Sequence, residues 1–363
     1  MKILSLLGDG RSGIDLFQSL FDKHYQVSQF PGIIHWREFF EKISNEISPN
    51  IILDLFLNKY KHFFDSRLNK RERHDMLGDD KNSFYEVDQE IFKKYFIHLF
   101  SNSKINERNI LINLHLSYSK ASGENIDLKK FIIINVHHSN SILNIEEIDQ
   151  EIVFMIRYPI ASIHSGVKHW LEYKGGKEFG FWSLYFHIER QFNVLKKLTN
   201  SSFKIHVVKL EELHKESEKI LKEFTKSIGM SYEKTLLNST YHGKRWWGDA
   251  LSKNFLNGLN PSFKNNVDYK YFFQKDIYLL EHYLYEKLVS YDYTKDKKKY
   301  ISRFLKFLPL KIELLVLKNQ IKRLNFLSFV FFLYYWIKRV NLMKESNFKN
   351  INFPKAVLGK DGA

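Results

Sequence analysis

The sequence predicts an α/β fold in three layers, with a central, mostly parallel sheet covered by helices on both faces. Three observations carry the prediction. Residues 2–7 (KILSLL), 131–136 (FIIINV), 152–156 and 203–208 are short apolar runs, as expected of parallel strands buried on both faces. The segments between them show apolar residues at helical spacing, and strands alternating with helices point to a covered parallel sheet. The first run also passes through a glycine-rich loop, GDGRSG (8–13), into residues 14–24, where Leu16, Phe17, Leu20 and Phe21 share one helical face.

Taken in order, residues 25–30 read as a strand stopped by Pro31 and Gly32. Apolar periodicity predicts helices over 36–47, 51–68, 89–99 and 107–119, an insertion spanning about 33–125 that walls a substrate pocket. A helix opens at Pro159, others cover 181–198 and 211–228, and the latter stops at Gly229. Residues 1–303 are expected to form the catalytic domain, 304–345 a basic, apolar helical extension and 346–363 a tail.

The first loop has the character of an anion cradle. Backbone N–H groups and the positive end of a helix converge there, and Arg11 adds a full charge. Gly8 and Gly13 have the spacing of a nucleoside-triphosphate P-loop, but Ile14 and Asp15 stand where that motif carries Lys and Ser or Thr. The cradle is kept without the residues that hold Mg²⁺, which disfavours phosphoryl transfer.

The 363 residues, 44% hydrophobic, suffice for a full core, and the absence of cysteine excludes disulfides and thiolate chemistry. With the first strand starting at residue 2, a cytoplasmic protein is expected, associated at most with the inner face of a membrane. The net charge of +15 is concentrated: residues 295–345 hold 13 Lys and Arg against three acids. The rest lacks a basic stripe or any nucleic-acid-binding pattern, so nucleic acid is not expected as a partner. No HExxH motif or acidic cluster indicates a metal.

A second informative stretch, RYPIASIHSGVKHW (157–170), begins where a buried strand ends, at the sheet edge where open α/β folds bind ligands. Arg157 and Ser165, about two helical turns apart, can reach one phosphate. With this stretch the chain resembles the sulfotransferases that use 3′-phosphoadenosine 5′-phosphosulfate (PAPS). GDGRSG (8–13) and the following LFDKHYQV (20–27) are similar to that family's 5′-phosphosulfate loop and helix, and Arg157 with Ser165 to its 3′-phosphate site. VKLEEL (208–213) resembles a strand-end segment of the family, and GKRWWGD (243–249) its late basic segment that closes over the nucleotide.

The resemblance implies PAPS as cosubstrate, no metal, and binding through Gly8, Gly10, Arg11, Ser12, Gly13, Arg157 and Ser165, with Lys244 and Arg245 assisting. It also implies that Arg11 supports the transferring group. The family usually has Ser or Thr at positions 14 and 15, and an acid at position 15 would repel a nearby phosphate. For a base, NVHHSN (135–140) follows a buried strand. His137 is the first choice, His138 would face the other way along the strand, and His115 is the reserve. The expected activity is sulfuryl transfer to a hydroxyl or amine of a small molecule, glycan or lipid; the alternative is a non-catalytic, membrane-associated nucleotide-binding protein.

Near the C terminus, residues 324–337 (LNFLSFVFFLYYWI) are apolar except for Asn325 and Ser328, and lie between basic pairs. As a helix this stretch is about 21 Å long, short of the roughly 30 Å bilayer core. It suits either shallow insertion at an anionic surface or packing on the catalytic domain.

Overall fold

A computed structural model describes residues 1–46, 48–101, 103–136, 148–172, 180–199, 201–250, 255–263, 269–298, 300–302, 304–324, 326–345 and 351–357. At its centre is a five-stranded sheet in the order β2, β3, β1, β4, β5. Its strands are β1 (Lys2–Gly8), β2 (Val27–Ile33), β3 (Phe131–Asn135), β4 (Gln150–Ile156) and β5 (Lys204–Lys209), and every pairing is parallel. This is the predicted three-layer α/β architecture.

Alternation along the strands divides the interior into two layers. Leu4, Leu6, Ile133, Val153 and Met155 face α1 (Ile14–Leu20). Ile3, Leu7, Ile132, Ile134 and Phe154 face the helices inserted between β2 and β3. These are α2 (Trp36–Ile43), α3 (Pro49–Lys59), α4 (Lys61–Phe64), α5 (Gln89–Phe100) and α6 (Glu107–Ala121). α5 and α6 start at side-chain caps: Asp88 accepts from the N–H groups of Glu90 and Ile91, and Asn106 from that of Asn109.

Several boundaries differ from the sequence expectation, and the helix expected over 36–47 ends at Ile43. β2 begins at Val27 and continues through Pro31 and Gly32 to Ile33, with a register shift after Gln29. It is an edge strand, where a missing N–H leaves no ladder bond unmade. The helix expected over 51–68 breaks at Tyr60, whose ψ of 35° leaves helical geometry. The one expected over 211–228 is likewise divided at Glu216 into α9 (Leu210–Lys215) and α10 (Ser217–Ile228).

On the far side of β4, α7 (Pro159–Glu172) and α8 (Phe181–Thr199) follow, and a two-stranded ribbon, β6 (Thr240–Tyr241) with β7 (Lys244–Arg245), comes later. α11 (Gln274–Tyr283), α12 (Tyr285–Ser290), α13 (Lys311–Leu324) and α14 (Phe326–Glu345) complete the chain. Ile163, Leu184, Leu280, Leu288, Val316 and Tyr335 belong to one apolar cluster, so the C-terminal helices share a core with α7 and α8. Near the end of the chain Val357 donates to the carbonyl of Val207 at 2.9 Å, covering part of the β5 edge.

The turn after β1 is tied to this helical cluster by a buried ion pair. Lys287 Nζ on α12 lies 2.9 Å from both carboxylate oxygens of Asp9, and both side chains are fully buried. Removing one partner of such a pair strands a charge in the interior. Lys287→Met is therefore expected to lower stability by about 3–5 kcal/mol. Adding Asp9→Asn should recover much of that loss, as urea unfolding of the two variants will show.

Candidate active site

Two glycines let the loop after β1 sit where it does. A side chain at Gly8 would run into the Met155 carbonyl of β4. At Gly13, φ is +86° and a Cβ would lie 2.5 Å from Leu210 Cδ1 of α9. The loop carbonyls are held by donors from α7, α8 and the end of β4. Arg190 Nη2 donates to Gly8 O (3.4 Å), Gln191 Nε2 to Asp9 O (2.9 Å), Ser162 Oγ to Gly10 O (2.7 Å) and Arg157 Nη1 to Arg11 O (3.3 Å). Asp9 N–H is used by Met155 O, while the N–H groups of Gly10, Arg11, Ser12 and Gly13 have no acceptor among the described residues. With its acceptors satisfied and its donors open, the turn is wired for an anion.

Arg11, Ser12 and Gly13 line a cavity of about 470 Å³ together with Arg157, Ser165, Leu210, His214 and Phe263, and the Arg157 guanidinium lies over the Phe263 ring at 5.5 Å. Ser12 Oγ, Arg11 Nε and Arg157 Nε are buried with no hydrogen-bond partner among the described residues. Such orphaned groups fit an anionic guest. Within the same lining, the His214 ring stacks on Phe263 with centroids 4.4 Å apart, and its Nδ1 accepts from Asn260 N–H at 3.0 Å. Burial, helped by the charge of Arg157, lowers the His214 pKa to about 4, so this wall is flat and uncharged at neutral pH. The cavity thus combines guanidinium groups and loop N–H donors with planar rings, and Arg157 borders both.

An acidic group stands beside the loop. Asp15 Oδ1 accepts from Asn135 Nδ2 of β3 at 2.8 Å, and burial followed by the nearby Asp249 charge raises its pKa. The Asp15 oxygen that Asn135 holds is drawn toward the end of β3. Asp249 pairs with Arg11 Nη1 at 2.7 Å, so the loop arginine is already engaged by a carboxylate from the segment after β7. Asp15 also lines a second cavity of about 220 Å³ on the side of the helical insertion, together with His35, Lys59, His62, Glu72 and His74. Burial, then Asp15 and Asp249, push the Glu72 pKa up to about 8.

The structure brings Arg11, Ser12, Gly13, Arg157 and Ser165 to one cavity, with Gly8 and Gly10 in the turn beneath. Arg245 lies in an adjoining cavity, bonded to Asp79 at 2.9 Å and to Asn257, with its guanidinium over the Trp247 ring. Lys244 pairs with Tyr241 in the ribbon and is not among the residues lining either cavity. His115 is a core residue, 1% exposed, with Nδ1 on Leu111 O at 2.8 Å and its ring against Phe30. His137 and His138 lie outside the described residues. Among the described residues no cluster of His, Asp or Glu could hold a metal ion.

Sequence reasoning missed the residues that hold the loop from below. Ser162, Arg190, Gln191 and Lys287 are distant in sequence from the turn they bind, and only Ser162 falls in a stretch already singled out. Glu211, within VKLEEL, accepts from Tyr158 N–H at 2.8 Å and Tyr293 OH at 2.9 Å, fixing the chain just after Arg157.

No protein-family model matches the chain, and no curated protein sequence does. Among solved structures it is similar to a sulfotransferase domain from the curacin biosynthetic pathway. That match has 14% identity and a TM-score of 0.40, and covers 72% of this chain and 85% of that one. It is also similar to a sulfotransferase domain from the Synechococcus PCC 7002 olefin synthase, with 10% identity, a TM-score of 0.37 and coverage of 74% and 90%. A third is sulfotransferase STF9 from Mycobacterium avium, with 12% identity, a TM-score of 0.33 and coverage of 65% of each chain.

The raised pKa of Glu72 predicts a pH dependence. The folded protein keeps a proton there that the unfolded chain releases near pH 4.5, so this residue lowers stability progressively as pH rises from 4.5 toward 8. Glu72→Gln, which has no such proton to lose, should gain stability relative to the parent across that window. Parallel thermal melts from pH 5 to 8.5 check this, and a constant difference would show that Glu72 titrates normally.

Proposed function

We propose that the protein transfers the sulfuryl group of PAPS to a hydroxyl or amine of an acceptor. The observation that carries this reading is that loop residues with unengaged N–H groups line one cavity with the partnerless Ser12 hydroxyl and Arg157, donors in need of an anion where the sequence resemblance expects one. In this reading the loop and Arg11 bind the 5′-phosphosulfate, Arg157 and Ser165 the 3′-phosphate, and His214 with Phe263 the adenine. Arg245 assists from the adjoining cavity, whereas Lys244, outside both cavities, would need the segment to move before it could reach the nucleotide. Ile14 and Asp15 offer neither the lysine nor the hydroxyl of a metal-dependent nucleotide loop, in keeping with binding that needs no Mg²⁺.

The acceptor oxygen or nitrogen attacks sulfur, the bond from sulfur to the bridging oxygen breaks, and charge gathers on the 5′-phosphate, where the loop N–H groups lower the barrier. Adenosine 3′,5′-bisphosphate leaves. The acceptor approaches from the Asp15 and Glu72 side, and His137, just beyond β3, takes its proton. The same adenosine bisphosphate would bind a protein that only stores nucleotide, so acceptor-dependent product formation is the decisive assay.

Calorimetry is expected to show adenosine 3′,5′-bisphosphate binding more tightly than 5′-AMP without Mg²⁺. Arg157→Ala and Ser165→Ala should lose that preference, with a charge-assisted contact worth about 1.5–3 kcal/mol. Equal affinity for the two nucleotides, or a need for Mg²⁺, overturns the donor assignment.

Transfer by His137→Ala is expected to fall about 10²–10⁴-fold with nucleotide affinity nearly unchanged, because the imidazole acts on the acceptor. If Glu72→Gln or His138→Ala shows that loss while His137→Ala turns over normally, the proton goes elsewhere.

A further inference from the structure

We propose that the outward face of α14, continued by α8, docks the protein on an anionic lipid surface. An ordinary surface helix hides its apolar stripe and shows its charges, whereas α14 buries one apolar side and displays another. Facing inward are Ser328, Phe332, Tyr335, Arg339 and Met343, none more than 9% exposed. Arg339 is fully buried there in an ion pair with Glu313 at 2.6 Å, and donates to the carbonyls of Lys306 and Leu308 at 2.8 and 3.0 Å. Facing outward at three- and four-residue spacing are Leu327, Val330, Phe331, Tyr334 and Ile337, each 47–59% exposed. Trp182 and Phe186 on α8, 46% and 58% exposed, extend the patch, and the Trp182 ring meets Tyr334 at 5.6 Å.

Charge selects the occupant. Lys318, Lys338 and Lys344 are exposed on α13 and α14, and the Lys306 and Lys344 ammonium groups lie over the ring of Phe307, itself 40% exposed. The acids between residues 295 and 345 are Asp296, Glu313 and Glu345, and Glu313 is consumed by Arg339. A second copy meeting this face would bring two lysine rims together, whereas an anionic bilayer complements them. Insertion is shallow: no helix among the described residues is long and apolar enough to cross a membrane, and the Arg339 side of α14 is pinned to the protein.

Flotation of the full chain with phosphatidylcholine vesicles, with and without phosphatidylglycerol, tests this. Binding is expected to be strong on the anionic vesicles, weak on the neutral ones and reduced by salt. The double variant Val330→Glu, Phe331→Glu should stay off both while melting at the parent temperature. Lys338→Gln should weaken partitioning about fivefold without abolishing it. The proposal fails if the parent ignores anionic vesicles or if the double variant floats as well as the parent. It fails too if light scattering shows a parent dimer that the double variant converts to monomer while neither binds lipid, which makes the face an interface between copies.

Discussion

An ammonium ion shut away from water lies under the turn after β1, and the candidate site depends on it. Lys287 Nζ touches Asp9 and the carbonyl of Gln191 at 3.0 Å, so both its desolvation and that of Asp9 are offset by direct contacts. Burial still drives the Asp9 pKa upward against the attraction of Lys287, which shows how dry the place is. The pair fixes Asp9, Asp9 fixes the turn, and the turn sets the directions of the open N–H groups. Because α12 belongs to the same core as α13 and α14, the last third of the chain supports a loop made by the first dozen residues.

Much of the layered fold was legible because buried parallel strands leave a local signal. β1, β3, β4 and β5 each coincide with an apolar run, and the ends of the sequence readings lie within two residues of theirs. The misread boundaries have local causes. Proline at residue 31 reads as a stop only if the strand is internal, and the sequence does not say that β2 is an edge. Tyr60 and Glu216 interrupt helices at positions where neither glycine nor proline gives warning. At the site, residues of one motif could be placed near each other, and Arg157 and Ser165 do line one cavity, but contacts between motifs were not readable. Arg157 and Ser165 are separated by a known helical distance, but Arg11 with Asp249 joins residues far apart in sequence. Asp15 looked disabling as a letter in the chain, yet its surroundings include an amide from β3.

The C-terminal helices show why hydrophobic content alone could not settle how they sit. A stretch nearly all apolar can be buried or displayed, and α14 does both at once. What decides its orientation is a polar contact, the buried link of Arg339 to Glu313 and of Glu313 to the hydroxyl of Tyr335 at 2.7 Å. One basic residue that the sequence offered as part of a flank is therefore an internal clamp. The polarity of the helix is set by its few charged positions rather than by its many apolar ones.

The pairing of Arg11 with Asp249 has a further consequence for the cavity. A carboxylate carried on the protein's own chain competes at the high local concentration that tethering confers, on the order of millimolar for a flexible connection. Stray chloride or inorganic sulfate must therefore outcompete a resident anion before reaching the guanidinium, and weak monovalent guests gain little. A polyanion that also engages Arg157 and the loop amides can displace it. Whatever guest takes Arg11 must replace this 2.7 Å ion pair, so its charge counts there only as the difference between two partners.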